Sequence, residues 1–225
     1  VSLILNIETS TPICSVCLSS KGRVLDIIED KQGNSHARLL TVFINQLMSN
    51  NHITYNQLDA VAVSAGPGSY TGLRIGASAA KGLCYALNKP LIAVSTLQSL
   101  AKGMQQATKN DMALFMPVID ARRMDIYTAV FDERMQNILK PDTLTVSKQL
   151  ETLIVAYGKV VIGGNAMYKV KEVFNPESAY FLEGVDCSAA WIGMLAEEKF
   201  NTKQFENVAY FQPDYLKEFG EVRKG

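Results

Sequence analysis

Two apolar runs that read as buried strands end in an acid followed by a break, Ile7-Glu8-Thr9-Ser10 and Ile119-Asp120-Ala121-Arg122. Paired carboxylates at strand ends can position magnesium and a nucleotide for phosphoryl transfer. A third segment, Gly66-Pro67-Gly68-Ser69-Tyr70-Thr71-Gly72, joins a strand-like to a helix-like stretch, where backbone N–H groups and the helix dipole can hold a phosphate. Its spacing rules out two common versions. A dinucleotide fingerprint needs its third glycine where Thr71 stands, and a Walker loop needs Gly-Lys-Ser/Thr where Gly72 is followed by Leu73 and Arg74. A nucleotide site of another kind would draw on Glu8, Thr9, Ser10, Gly66, Gly68, Ser69 and Asp120. The competing reading is a tight turn that sets the helix against the sheet. The neighbours of the two acids also count against a nucleotide, because Pro12 removes a backbone donor after Glu8 and the bulky Ala121-Arg122-Arg123 follows Asp120. Arg122, Arg123 and Asp125 read as a solvated hairpin tip.

Metal chemistry is poorly supplied. The chain has two histidines, His36 and His52, with neither H-E-x-x-H nor H-x-x-x-H, so no helix face presents an imidazole pair. The C-x-x-C spacing of Cys14 and Cys17 lies in an extended stretch, where side chains three apart point to opposite faces, and the expectation is buried thiols.

These groups need elements to place them. Leu3–Ile7, Ala60–Val63 and Leu91–Val94 read as buried strands separated by helical segments, an α/β pattern. Strands at 13–20 and 23–31 joined by Lys21-Gly22 complete an opening meander of three. Leu39, Leu40, Phe43, Ile44, Leu47 and Met48 form one face of a helix capped by Asn34 or Ser35. A second helix is predicted over 71–87 and a third from the Ser95-Thr96 cap. The order then restarts with strands at 113–119, 126–131 and 137–146, helices near 147–156, 165–174 and 188–200, and strands at 159–162 and 179–182. Both halves read βββαβαβα, which predicts lobes at 1–105 and 106–225 with both acids at one interlobe cleft. Trp191 reads as core.

The helix after the glycine segment carries Gly72, Gly76, Ala79 and Ala80 along one face and Gly82 beyond it. Each glycine costs about 1 kcal/mol inside a helix. Close approach must offset this, either inside the lobe or across a subunit interface.

Composition narrows the class. With 22 basic and 22 acidic residues in 225, the net charge is zero, which removes the broad attraction an autonomous nucleic-acid or membrane binder uses. Neutrality weakly favours life in a complex. The longest uncharged run, 39–58, holds too many polar residues to cross a bilayer, and residues 1–6 lack a basic leader region, so the expected location is cytoplasmic.

Taken together and in order, the segments Leu5-Asn6-Ile7-Glu8-Thr9-Ser10, 64–76 and Ile119-Asp120-Ala121-Arg122 closely resemble the bacterial TsaB (YeaZ) family. The likeness covers nearly the whole chain, including the tail Tyr215-Leu216-Lys217-Glu218-Phe219. The glycine segment is the specific part. The resemblance implies two RNase-H-like lobes of the actin-like, sugar-kinase and Hsp70 (ASKHA) superfamily. It also implies a non-catalytic subunit in making threonylcarbamoyladenosine beside the tRNA anticodon. Implied partners are the paralogue TsaD, which holds the metal, and the P-loop ATPase TsaE. A homodimer is implied when TsaD is absent, and tRNA is met only through the complex.

On the same resemblance, the helices bearing Val42 and Gln46 and bearing Gly72, Arg74, Ile75, Gly76, Ala79 and Leu83 form the partner interface. The chain would need no cofactor of its own, with weak binding of ATP or ADP with magnesium at its own cleft as the residual alternative. Competing functions are an ATP-dependent phosphotransferase using Glu8 and Asp120, and a metallopeptidase, which the lost histidine pair disfavours.

Overall fold

In the computed structural model, which describes residues 2–33, 35–108, 114–173, 177 and 179–217, the opening meander forms as expected. Strands β1 (Leu3–Glu8), β2 (Cys14–Ser20) and β3 (Arg23–Asp30) pair antiparallel. Lys21 and Gly22 adopt φ of 52° and 70°, the left-handed pair that a two-residue hairpin turn requires. Strands β4 (Ala60–Gly66) and β5 (Leu91–Ser95) add parallel on the other side of β1, giving the order β3-β2-β1-β4-β5.

Period-two alternation divides this sheet between two layers. Leu5, Ile7, Val61 and Val63 join the core formed with helices α1 (His36–Asn50) and α2 (Tyr70–Leu87). Ile4, Ala60 and Ala62 turn the other way, onto Ile192, Leu195 and Ala196 of α6 (Ala189–Asn201). Cys14 and Cys17 follow the same rule. Both are buried and free, and only Cys14 belongs to the α1/α2 core. Burial pushes their thiols up to about 11 and about 12, so neither is a reactive thiolate.

The second sheet repeats the plan. Strands β6 (Leu114–Asp120), β7 (Asp125–Asp132) and β8 (Asn137–Thr145) form an antiparallel meander, and β9 (Val160–Gly163) and β10 (Ala179–Leu182) extend it in parallel, in the order β10-β9-β6-β7-β8. Helices α4 (Lys148–Ala156) and α5 (Met167–Val173) supply Leu150, Ile154 and Val170 to the core over Met116, Val118, Val160 and Ile162. Both sheets share this RNase-H-like order, which is the two-lobed α/β architecture expected from the sequence.

The chain divides into two compact units, Val1–Ser99 with Cys187–Asp214, and Leu100–Asp186 with Tyr215–Gly225. This differs from a split at 105/106 because each half's third helix serves the other sheet. Helix α3 (Thr96–Ala107) brings Met104 to 3.2 Å from where a Cβ on Gly163 would stand, and α6 returns to the first sheet. At Gly193 a Cβ would lie 2.9 Å from Ser19 Cβ, so this glycine permits the approach. Ser15 Oγ pins the start of α6 by accepting from the Ala189 N–H (2.9 Å), and Ser15 and Ser188 both donate to Glu29 Oε1 (2.8 and 2.6 Å).

Local expectations differ in three places. Ser35 occupies the N-cap position of α1 but donates its hydroxyl to Asp30 Oδ2 (2.5 Å) instead of capping; Asn34 lies outside the described residues. Helix α5 starts at Met167, not 165, because the Asn165 side chain accepts from the Asp120 N–H (2.9 Å); Phe174 lies outside the described residues. Trp191 is half-buried rather than core.

Candidate functional site

Glu8 ends β1 fully buried, and Oε1 accepts from the Ser10 N–H (2.6 Å), so the carboxyl folds back on its own loop. Among the described residues Oε2 has no hydrogen-bond partner, and neither have Ser10 Oγ, Thr11 Oγ1 and His36 Nδ1. Burial is the main influence and raises the Glu8 pKa, opposed by the hydrogen bond from the Ser10 N–H. The loop continues inward, with the Thr9 N–H reaching Ser64 Oγ (3.4 Å) and the Thr9 hydroxyl donating to the Gly72 carbonyl (2.8 Å).

The glycine segment is filled by the chain itself. A Cβ on Gly68 would run into the Ser10 carbonyl, one on Gly72 into the Thr9 carbonyl and one on Gly76 into the Thr9 hydroxyl. Gly66, at φ 113°, lies under the Asp214 carbonyl, and the Asp214 N–H donates to Ala65 O (2.6 Å). Two donors at the entry to α2 are also engaged. Ser69 N–H goes to Ser10 O (2.6 Å), and Ser69 Oγ caps the helix by accepting from the Gly72 N–H (3.2 Å). The β1–β2 loop at Thr9 and Ser10 fills the space over Gly68, Gly72 and Gly76, so these residues do not fit a nucleotide phosphate held in the glycine turn.

In the second unit Asp120 ends β6, with its side chain 38% exposed. Its Oδ1 accepts from Lys169 Nζ (2.6 Å) and from the Arg122 N–H (2.6 Å). Arg122 and Arg123 form an exposed left-handed turn, φ 71° and 51°. Asp125 accepts from Lys217 Nζ (2.8 Å) and from the Thr145 hydroxyl (2.7 Å). Glu218 and Phe219 lie outside the described residues.

Metal donors also fail to assemble. His36 Nε2 is committed to the Thr11 carbonyl (2.7 Å), which requires its proton there, and no three His, Cys, Asp or Glu side chains converge among the described residues. No helix among the described residues is long and apolar enough to cross a membrane.

The small-residue face of α2 resolves into two sets. Gly72, Gly76 and Ala80 are buried, with Gly72 and Gly76 turned onto Thr9 within the unit. Ile75, Ala79 and Leu83, spaced four apart, are half-buried against the same core as Leu39 and Phe43 of α1. Val42 is 54% exposed, and Gln46 and Arg74 are exposed, with Arg74 Nη1 donating to the Tyr70 hydroxyl (2.9 Å). The outer side of α1 and α2 thus carries half-buried apolar residues beside exposed Val42, Gln46 and Arg74. The contribution of Asp214 had no signal in the sequence, since no local pattern marks it.

Comparison with known proteins gives one answer. Residues 26–218 match the family model described as TsaD, tRNA N6-adenosine threonylcarbamoyltransferase. The Haemophilus influenzae tRNA threonylcarbamoyladenosine biosynthesis protein TsaB is 34% identical over 55% of this chain, which spans 51% of that relative, about half its length. The protein of the same name from Buchnera aphidicola subsp. Baizongia pistaciae is 26% identical over 84% of this chain and 90% of its own. A crystal structure of a Pseudomonas aeruginosa protein with similarity to peptidase YeaZ superposes with a TM-score of 0.84 at 24% identity, covering 96% of this chain and all of that one, which establishes the shared fold. The chain belongs to the family that the TsaD model describes, and it is similar to the members named TsaB.

Proposed function

We propose that this chain is a non-catalytic subunit in the formation of threonylcarbamoyladenosine on tRNA, working in the cytoplasm by binding and activating or stabilising the catalytic paralogue TsaD. The observation that carries the reading is the filled glycine segment. Thr9, Ser10 and Asp214 occupy the positions at Gly66, Gly68, Gly72 and Gly76 where a phosphate would need room. A member of this family without that room, and without a histidine pair, serves best as a binding partner. Its docking surface is the outer seam of α1 and α2, with Val42, Gln46, Arg74, Ile75, Ala79 and Leu83. The same seam pairs two copies of this chain when TsaD is absent. TsaE joins the assembly, tRNA is met through the complex, and the metal belongs to TsaD. The chain carries no cofactor of its own.

Calorimetric titration of the chain against purified TsaD tests the docking reading. Tight one-to-one binding lost in Ala79→Arg supports it. Binding unchanged by that substitution, or no binding by the wild-type chain, overturns it.

A further inference from the structure

We infer that residues 204–214 form a strap that sets the position of α2, and that Lys81, which latches the strap, is a positioning residue for the docking surface. This rests on the proposed docking role of α2. After α6 the chain runs back along the first sheet. The Glu206 N–H donates to Leu91 O (2.9 Å), forming a single antiparallel bridge on the edge strand β5. Phe211 is buried in the core that holds Ala77, Ala80 and Cys84 of α2. Lys81 Nζ donates to the carbonyls of Ala209 (3.1 Å) and Phe211 (3.0 Å). The Asp214 N–H then donates to Ala65 O, and its carbonyl sits over Gly66.

The strap therefore holds α2 at two points, the turn that launches it and a lysine eleven residues past its first residue, Tyr70, about 16 Å along the axis. At about 100° per residue, Lys81 stands roughly 160–240° around the helix from Ile75, Ala79 and Leu83. The latch grips the flank opposite the seam and leaves the seam free. Among the described residues Lys81 has no carboxylate partner, so its ammonium works as a donor fixing two carbonyls, not as half of an ion pair. A partner reading the spacing of α1 and α2 would thus sense the strap without touching it.

Lys81→Met keeps the length and removes the donors, and Lys81→Arg restores donors. Hydrogen exchange on the full chain without partner should rise about tenfold in Lys81→Met, both in 206–214 and in 66–76, because one opening frees both. Affinity for TsaD should fall about tenfold, with Lys81→Arg recovering most of it and the melting transition staying cooperative. Phe211→Leu, which weakens the plug without touching the latch, should move both readouts in the same direction. Faster exchange confined to 206–214, or unchanged affinity when 66–76 exchanges faster, overturns the inference. If the wild-type chain fails to bind TsaD, the docking reading fails, and the exchange pattern alone still decides whether the strap positions α2.

Discussion

A carboxyl group that gives up water without gaining a cation is expected to keep its proton, and Glu8 stands in that position. Its folded pKa lies above the ordinary 4.5, so its contribution is complete below about 4.5 and is lost as pH rises through the folded value. Glu8→Gln, neutral at every pH, should therefore flatten the fall in stability. Urea midpoints of the two proteins should diverge in the variant's favour as pH increases. Parallel curves would show that Glu8 does not titrate in the fold. The glycines give a second contrast. Gly68→Ala meets a backbone carbonyl that cannot swing away and should cost about 1–3 kcal/mol or more. Gly82→Ala meets nothing within 4 Å in an exposed helical site and should gain about 0.5–1 kcal/mol. Denaturation of both variants checks the pair, and equal effects would contradict the filled-turn account.

At the scale of elements, hydrophobic period was enough to place both meanders and nearly every helix, because core faces are written locally. Leu40, Ile44, Leu47 and Met48 are buried on α1, and β10 occupies 179–182 as expected. What fills a glycine was not legible. Spacing marked Gly72 and Gly76 as a close-contact face, but whether a partner or Thr9 made the contact depends on residues more than sixty positions away. The strap and the return of α6 were hidden for the same reason. Gly76→Leu should unfold the chain, whereas Val42→Glu, at a half-exposed position, should leave the melting temperature nearly unchanged and abolish association. Sedimentation and thermal melting separate the outcomes, and a folded Gly76→Leu would contradict the inward packing of this helix.

At the scale of the whole molecule, the two sheets repeat one strand order, and α6, from late in the chain, packs on the first of them. A chain ending at Asp186 would lack α6 and leave Ile4, Ala60, Ala62, Ile92 and Val94 uncovered. It should lose cooperative unfolding altogether, as judged by denaturant titration, and a cooperative transition would show that the first sheet needs only one helical layer. The account's central claim is that this chain acts by docking and not through chemistry at Glu8. The direct test measures threonylcarbamoyl transfer to tRNA with TsaD, TsaE and the adenylate supplied, comparing no added chain, wild type, Glu8→Gln and Ala79→Arg. The account predicts product with wild type and Glu8→Gln, and little with Ala79→Arg or without the chain. Loss of product in Glu8→Gln with association intact would contradict it.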